Sequence, residues 1–323
     1  MKAVRFTKTG GPEVLTLEDI ALPEPGPGQV RVRHTAIGVN FIDTYHRSGL
    51  YPLPLPSGLG LEAAGVVDAA GPDVTVLKKG DRVAYCSGPI GAYAEANNVP
   101  ASRVVKLPKD IEDEVAAAAM LKGMTAQYLL KRTYPVRKGQ TILFHAAAGG
   151  VGLIAGQWAK HLGVNVIGTV GSDEKRELAH ANGYAHVLNT RKEEWVKRVR
   201  EITNGAGVPV VYDSVGKDTF AGSLDCLAVR GMLVSFGNAS GAVPPFEPGI
   251  LSAKGSLYLT RPTLMHYTAT AHELQETADD LFGVISSGAV KIAIHQRFRL
   301  AEARKAHEAL HSRATTGATI LTP

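Results

Sequence analysis

A glycine-rich turn between a short apolar strand and an amphipathic helix constrains this chain more than any other feature. The strand is predicted over residues 141–144, the turn contains Ala147-x-Gly149-x-x-Gly152, and the helix runs over residues 151–162. Small residues permit the tight turn, the missing side chain at Gly149 lets the backbone approach a pyrophosphate, and Gly152 lets the helix pack close to the sheet. We predict a dinucleotide-binding turn, in which free N–H groups at the helix start face negative charge. The alternative is a tight strand–helix turn without a ligand.

The rest of the chain supplies a sheet for this turn. From residue 141 to about residue 260, predicted strands alternate with predicted helices, which indicates βαβ units and a parallel sheet. Residues 1–110 instead contain short strands separated by turns rich in Pro and Gly, typical of a barrel or a strongly curved sheet. We therefore predict an α/β fold with a β-rich domain and a Rossmann domain of doubly wound parallel topology. The tail after residue 262 is expected to return to the first domain.

Composition excludes several classes of protein. The 323 residues suffice for two domains and a large core. Cys86 and Cys226 are too few for a disulfide framework or a four-cysteine zinc site, and they suit a reducing cytosol. No stretch reaches the ~18 apolar residues of a membrane helix, and the N-terminus lacks the apolar core of a signal peptide. The net charge of +5 includes no long basic run. We expect a cytoplasmic protein without a membrane partner, and we favour scattered surface charges over the alternative, a nucleic-acid-binding surface.

The end of the second strand of the parallel sheet distinguishes NADPH from NAD. An NAD site usually places Asp or Glu there, and a carboxylate would repel a 2′-phosphate. Here Gly171 leaves room, while Ser172 and Lys175 supply a hydrogen-bond donor and a positive charge. We therefore predict NADPH. Asp173 and Glu174 argue against it, unless they only stabilise the start of the next helix.

Two later strands also end in polar turns, Asp213-Ser214-Val215-Gly216 and Ser235-Phe236-Gly237-Asn238. The carboxyl ends of parallel strands line the ligand crevice of a doubly wound sheet. We therefore expect these turns to contact the cofactor; ordinary strand-end turns are the alternative.

A histidine is missing where a catalytic zinc would need one. The segment Gly60-Leu61-Glu62-x-x-Gly65 resembles the Gly-His-Glu-x-x-Gly motif of zinc alcohol dehydrogenases, with Leu61 in the position of the ligand histidine. The eleven histidines are scattered without neighbours at ligand spacing. We interpret His145, beside the glycine turn, as a packed polar residue and expect no metal.

Seven segments together identify a family. They are residues 38–43, 60–65, 80–83, 145–152, 212–216, 235–238 and 312–315. With them the chain resembles, over essentially its whole length, the zinc-free quinone oxidoreductase branch of the medium-chain dehydrogenase/reductase superfamily, which includes zeta-crystallin. The resemblance implies a GroES-like catalytic domain over 1–123, a Rossmann NADPH-binding domain over 124–262, and a return segment over 263–323 that completes the catalytic domain. It also implies a homodimer formed through the edge of the Rossmann sheet.

The resemblance further implies which residues contact the cofactor. Asn40 stands in the region where zinc relatives carry a ligand cysteine, and it is implied to lie near the nicotinamide. The other implied contacts are Gly149, Gly150 and Val151 at the pyrophosphate, Gly171, Ser172 and Lys175 at the 2′-phosphate, and Thr125, Ser214, Phe236, Gly237, Asn238, Ser240, Arg261, Pro262 and Arg313 elsewhere.

One residue departs from the family pattern. Close bacterial relatives carry a tyrosine after the Asn of the Val-Leu-Asn segment, where it helps hold the adenosine phosphate, whereas this chain has Thr190. Threonine keeps a hydroxyl but loses reach and stacking area. We hypothesise that the preference for NADPH survives on Lys175 and Ser172.

Without a metal, no Lewis acid polarises a carbonyl, so the substrate must accept hydride readily. Quinones and conjugated enones do so because the product anion is delocalised. The first hypothesis is an NADPH-dependent quinone oxidoreductase, and the second is an NADPH-dependent C=C reductase of enones or enoyl thioesters. The third, of another class, is a cofactor-responsive RNA-binding protein. Candidates for positioning the substrate or donating a proton are Asn40, Asp43, Tyr45 and Tyr51, although both tyrosines can equally be packing residues.

Overall fold

The computed structural model describes residues 1–312 and 315–323. Its strands are β1 (Lys2–Phe6), β2 (Thr16–Asp19), β3 (Gln29–Val39), β4 (Ser57–Gly58), β5 (Glu62–Ala70), β6 (Arg82–Tyr85), β7 (Ala96–Pro100), β8 (Val105–Lys106), β9 (Thr141–Phe144), β10 (Asn165–Val170), β11 (His186–Asn189), β12 (Val208–Asp213), β13 (Leu227–Ser235), β14 (Tyr258–Thr260), β15 (Ile294–Arg299) and β16 (Ala318–Thr322). Its α-helices are α1 (Phe41–Ser48), α2 (Asp113–Tyr128), α3 (Gly150–His161), α4 (Asp173–Ala181), α5 (Trp195–Ile202), α6 (Phe220–Cys226), α7 (Gly249–Ala253), α8 (Leu264–Tyr267), α9 (Ala271–Ser286) and α10 (Ala303–His311).

The chain divides into two units. The first contains Met1–Met124, Thr268–Ser286 and Ile292–Pro323, and the second contains Thr125–Tyr267 and Ser287–Lys291. The domain boundaries predicted from the sequence were 123/124 and 262/263. Among the described residues, no helix is both long enough and apolar enough to cross a bilayer.

The first unit is built on a curved sheet. Seven strands pair in the order β15-β16-β3-β5-β6-β8, with β7 also paired to β3, and a separate sheet has the order β2-β1-β4. The sequence of β3 alternates as a strand with one buried face requires. Val30 and Val32 are fully buried on that face, whereas Arg33 on the other face is exposed. The returning strand β16 pairs antiparallel with β3. Residues 292–323 therefore belong to this unit.

The second unit is a parallel sheet of six strands in the order β11-β10-β9-β12-β13-β14. Its central strand β12 is an apolar run in which Val208, Val210 and Val211 are fully buried, as expected of a strand covered on both faces. Strand order proceeds outward in one direction from β9 and in the other from β12, so the topological switch point lies at the carboxyl end of β9. The predicted α/β class, with a β-rich unit and a Rossmann-type unit, is confirmed.

Candidate active site

The glycine turn connects β9 to α3 at this switch point. Gly149 N donates to Ala146 O (2.9 Å), and Ala147 N donates to Thr169 O on β10 (2.9 Å). A Cβ at Gly152 would lie 2.4 Å from Ala146 O, so the turn has no room for a side chain there. The N–H groups of the first turn of α3 have no acceptor within the helix. Together with the helix dipole, they make the turn fit a pyrophosphate group.

The carboxyl end of β10 is open. Among residues 1–312 and 315–323, a Cβ built at Gly171 would meet only one heavy atom within 4 Å, Arg191 Nε at 3.8 Å. Ser172 precedes α4 in an extended conformation, and Lys175 lies half-buried in the first turn of that helix. A hydroxyl, a backbone turn and a cation therefore lie beside a position where no described carboxylate comes within 4 Å of a Cβ at Gly171, which fits a 2′-phosphate.

The two acids beside this space are already engaged. Asp173 accepts from Lys192 Nζ (2.5 Å) and from Asn189 Nδ2 (2.9 Å), and these contacts lower the pKa of its carboxyl group. A hydrogen bond from Ser172 lowers the pKa of Glu174. Both acids lie in the first turn of α4, where they also favour the helix dipole. They are thus compatible with an anionic ligand at Gly171.

Thr190 follows β11 on the same side of the sheet. Its hydroxyl donates to Val170 O (3.3 Å), and its backbone N–H donates to the same oxygen (3.0 Å). The side chain is therefore bonded to the backbone of the neighbouring strand. Its contribution to cofactor binding stays a prediction.

The later strand ends of the second unit form one hydrogen-bonded group. Arg261 Nη1 donates to Ser235 O (2.8 Å) and Gly237 O (3.2 Å). With its amide oriented to satisfy both atoms, Asn238 donates to Gly237 O (2.9 Å) and accepts from Arg261 (3.1 Å). A Cβ at Gly237 would lie 2.5 Å from Ser214 O, so the ends of β12 and β13 approach closely only because of this glycine.

The remaining predicted cofactor contacts are more dispersed. The hydroxyl of Ser240 donates to Val215 O (2.8 Å) in the turn after β12, and Phe236 packs against an aromatic ring of β9. Thr125 is nearly buried in α2, and Pro262 follows β14. Arg313 lies outside the described residues.

In the first unit, Asn40 is held by a buried ion pair. Its Nδ2 donates to Glu62 Oε2 (2.7 Å), which also accepts from Lys122 Nζ (3.1 Å). Glu62 Oε1 accepts from Leu121 N (2.6 Å). The side chain of Glu62 is fully buried and that of Lys122 is 7% exposed. A Cβ at Gly38 would lie 2.1 Å from Glu62 Oε2, so this glycine makes room for the carboxylate.

Asp43 lies in the first turn of α1. Its Oδ2 accepts from Asn40 N (2.8 Å) and Tyr93 OH (2.9 Å), whereas its buried Oδ1 has no hydrogen-bond partner within the described part of the chain. Burial raises the pKa of Asp43 to about 7. Tyr93 OH also contacts His307 Nε2 (3.1 Å), and His307 Nδ1 contacts Arg47 Nη1 (3.0 Å). Because a guanidinium only donates, His307 carries its proton on Nε2, and the chain of bonds points from Arg47 to Asp43.

The other two candidate residues lie in α1 and just after it. The rings of Tyr45 and Tyr51 meet edge to face at 5.2 Å, and Tyr45 is 9% exposed. Leu61 is buried in the apolar core. Across residues 1–312 and 315–323, no three His, Cys, Asp or Glu side chains gather as a metal site requires. Burial raises the pKa values of both cysteine thiols.

Most of this buried cluster is absent from the sequence-based predictions. Glu62 stands out in the sequence only as part of a motif, and Lys122, Tyr93, His307 and Arg47 do not stand out. Two local features do point to the ion pair: Glu62 begins an apolar strand, and Lys122 interrupts an apolar helical run. Buried charges need partners, so these two residues could be expected to pair. Arg191 has no such signal until the fold places it beside Gly171.

Comparison with known proteins gives matches over the whole chain. The family model for the alcohol dehydrogenase GroES-like domain matches residues 26–109, and the model for zinc-binding dehydrogenases matches residues 150–282. The quinone oxidoreductase of Pseudomonas aeruginosa is 59% identical over 323 residues, which cover 100% of this chain and 99% of that protein. The chain belongs to the quinone oxidoreductase family.

Solved structures of this family agree in detail. The Escherichia coli quinone oxidoreductase complexed with NADPH has a TM-score of 0.99 at 51% identity, with 100% of both chains covered. A mycobacterial protein complexed with NADPH has a TM-score of 0.97 at 51% identity, also with 100% of both chains covered. The predicted membership in the zinc-free quinone oxidoreductase branch of the medium-chain superfamily is thus confirmed.

Proposed function

We propose that this chain is an NADPH-dependent quinone oxidoreductase, which transfers hydride from NADPH to a quinone without a metal. Its full-length identity of 59% to the Pseudomonas aeruginosa quinone oxidoreductase carries the proposal. The TM-score of 0.99 to the Escherichia coli enzyme complexed with NADPH supports the cofactor. The open strand end at Gly171, bordered by Ser172 and Lys175, supports NADPH over NADH on this chain's own residues.

The second unit supplies the groups that would hold NADPH. The turn from Gly149 into α3 would bind the pyrophosphate through backbone N–H groups, and Ser172 and Lys175 would bind the 2′-phosphate. Arg261 ties together the ends of the strands that border the crevice. When bound, the nicotinamide supplies the hydride. The protein's contribution is orientation and the exclusion of water.

The first unit supplies the groups proposed to act on the substrate, Asn40, Asp43, Tyr45 and Tyr51. The carboxyl group of Asp43 is bonded to the backbone of Asn40, so we assign it a positioning role. The hydroxyl groups of Tyr45 and Tyr51 are the proposed proton donors. Tyr45→Phe and Tyr51→Phe test this assignment: we expect a lower kcat in at least one variant, and wild-type turnover in both would contradict it.

The activity is tested by NADPH oxidation with a panel of quinones, a panel of conjugated enones and a panel of enoyl thioesters. We expect the highest kcat/KM with a quinone, and a higher kcat/KM with NADPH than with NADH. Faster reduction of an enone or a thioester would contradict the substrate assignment, and a preference for NADH would contradict the cofactor assignment. Stoichiometric loss of NADPH would exclude a purely binding role.

The predicted homodimer and cytoplasmic location are also part of this proposal. The edge strand β14 carries Tyr258, which is 58% exposed, and the adjacent β13 carries Val229, which is 74% exposed. Exposed apolar residues at a sheet edge favour pairing with a second copy. Light scattering should give twice the chain mass of 34.2 kDa, and Val229→Lys with Tyr258→Lys should give the chain mass. Two buried free cysteines suit the cytoplasm, which cell fractionation would check.

A further inference from the structure

The segment after β11 folds over the open end of β10. Thr190 N donates to Val170 O (3.0 Å), Arg191 N donates to Asn189 Oδ1 (3.1 Å) and Lys192 N donates to Asn189 O (3.0 Å). These bonds fix the backbone of three successive residues. The directions in which their side chains leave the segment are therefore set by the fold.

The cations at this end of the sheet fall into two groups. Lys192 Nζ lies 2.5 Å from Asp173 Oδ2, and Arg176 pairs with Glu193 and lies 3.9 Å from Asp173. Each of these two charges is balanced by a carboxylate. The guanidinium of Arg191 is exposed and forms no ion pair with any residue in the described ranges 1–312 and 315–323. Its charge is available to an anionic ligand.

The position of Arg191 coincides with the place where dinucleotide sites distinguish their cofactors. The nearest atom to a Cβ at Gly171 is Arg191 Nε, at 3.8 Å. In NAD sites a carboxylate at this strand end binds the ribose 2′-OH, and a nearby arginine accommodates a 2′-phosphate instead. A guanidinium can also donate two parallel hydrogen bonds to a phosphate. The hydroxyl of Thr190, in contrast, is bonded to Val170 O.

We propose that Arg191 binds the 2′-phosphate of NADPH, and that Lys192 and Asn189 hold the Asp173 carboxylate away from that phosphate. This inference rests on the proposed function, because it assumes that the cofactor carries a 2′-phosphate. Arg191 supplies the reach that Thr190 lacks. Lys192 is a positioning residue, since it acts on the ligand only through Asp173.

The test measures binding of nucleotide fragments by calorimetry, independently of turnover. The ligands are 2′,5′-ADP, which carries the 2′-phosphate, and 5′-AMP, which does not. Loss of a charged hydrogen bond typically weakens binding about 10-fold or more. We expect Arg191→Ala to weaken the binding of 2′,5′-ADP by about that factor and to leave the Kd of 5′-AMP unchanged. Lys197→Ala, which removes an exposed cation of α5, is the matched control and should change neither Kd.

The positioning role of Lys192 has its own readout. Lys192→Met should weaken the binding of 2′,5′-ADP, because the freed Asp173 carboxylate can then approach the phosphate. Adding Asp173→Asn should restore the affinity, because a neutral amide replaces that carboxylate. Lack of rescue would overturn this role. If Arg191→Ala weakens the binding of both fragments equally, or of neither, Arg191 does not bind the 2′-phosphate.

The same titrations separate this inference from the proposed function. If the wild type binds 2′,5′-ADP more tightly than 5′-AMP and Arg191→Ala retains that preference, only the assignment of Arg191 fails. If the wild type shows no preference, the NADPH assignment fails and the role of Arg191 fails with it.

Discussion

Among the ion pairs that join helix α2 to strands of the first unit, one is buried and another is exposed. Lys122 pairs with Glu62 of β5 at 3.1 Å, and their side chains are 7% and 0% exposed. Glu114, two turns earlier, pairs with Arg297 of β15 at 2.9 Å, and their side chains are 40% and 53% exposed. The exposed pair is the shorter one. Distance alone therefore says little about energy, because water screens one pair and not the other.

The two pairs also have different consequences for the candidate site. The buried Glu62 carboxylate accepts three hydrogen bonds, from Leu121, Lys122 and Asn40, and it therefore fixes the Asn40 side chain. The Arg297 guanidinium donates to Glu114 through Nε (3.1 Å) and Nη2 (2.9 Å), and it contacts none of the candidate residues that the structure describes. The buried pair thus links stability to the site. The exposed pair contributes only a solvated contact between α2 and β15.

The largest effect is expected for Lys122→Met. This variant leaves Glu62 as a buried carboxylate without its cation, which typically costs about 3–5 kcal/mol. Urea unfolding should show the loss, and Lys122→Met combined with Glu62→Gln should recover most of it, because neither charge then remains. Equal losses of unfolding free energy in Lys122→Met and Arg297→Gln would contradict the expected difference between the buried and the exposed ion pair.

A second prediction concerns the ionisation of Asp43. Its pKa is about 7 in the folded protein and about 3.8 when exposed, so the folded state binds the extra proton between these values. Its contribution to stability is full below pH 3.8 and is lost as pH rises through 7. Relative to the wild type, Asp43→Asn should gain roughly 2 kcal/mol of unfolding free energy between pH 5 and pH 7.

The Asp43→Asn difference isolates this effect from the buried histidines. Burial lowers the pKa of His34 to about 4 and that of His307 to about 3, so both destabilise the fold as pH falls below 6.5. Both proteins carry these histidines, and their contribution cancels in the difference. Asp279→Asn, at an exposed position of α9, is the control. A difference between Asp43→Asn and the wild type that does not vary with pH would contradict the prediction.

Gly38→Ala tests the space around the buried pair. The new methyl group would lie 2.1 Å from Glu62 Oε2 and 2.3 Å from Ala117 O, so either the carboxylate or the helix backbone must move. Overpacking of this kind costs about 1–3 kcal/mol. Gly283→Ala in α9 is the control, because its Cβ meets no atom within 4 Å, and it should stabilise the protein by about 0.5–1 kcal/mol. Equal unfolding midpoints in the two variants would disprove the steric argument.

The contrast between the two units also explains what the sequence could predict. The turn at Gly149 and the open end at Gly171 are local patterns, in which the strand, the turn and the helix are neighbours in the chain. The Glu62–Lys122 pair joins residues 60 positions apart, and Tyr93 and His307 are 214 positions apart. Residue type suggested Asp43 as a proton donor. Its burial follows from tertiary contacts that no local pattern encodes.

The smallest effect is expected for Arg297→Gln. The pair with Glu114 is solvated, so its loss should lower the free energy of unfolding by less than about 1 kcal/mol. Salt separates this pair from the buried one, because the Debye length falls to about 3 Å at 1 M ionic strength. Unfolding in 1 M NaCl should abolish the difference between Arg297→Gln and the wild type, whereas the difference for Lys122→Met should persist. If salt removed both differences equally, water would reach Lys122 and Glu62, and the proposed fixing of Asn40 by a dry ion pair would fail.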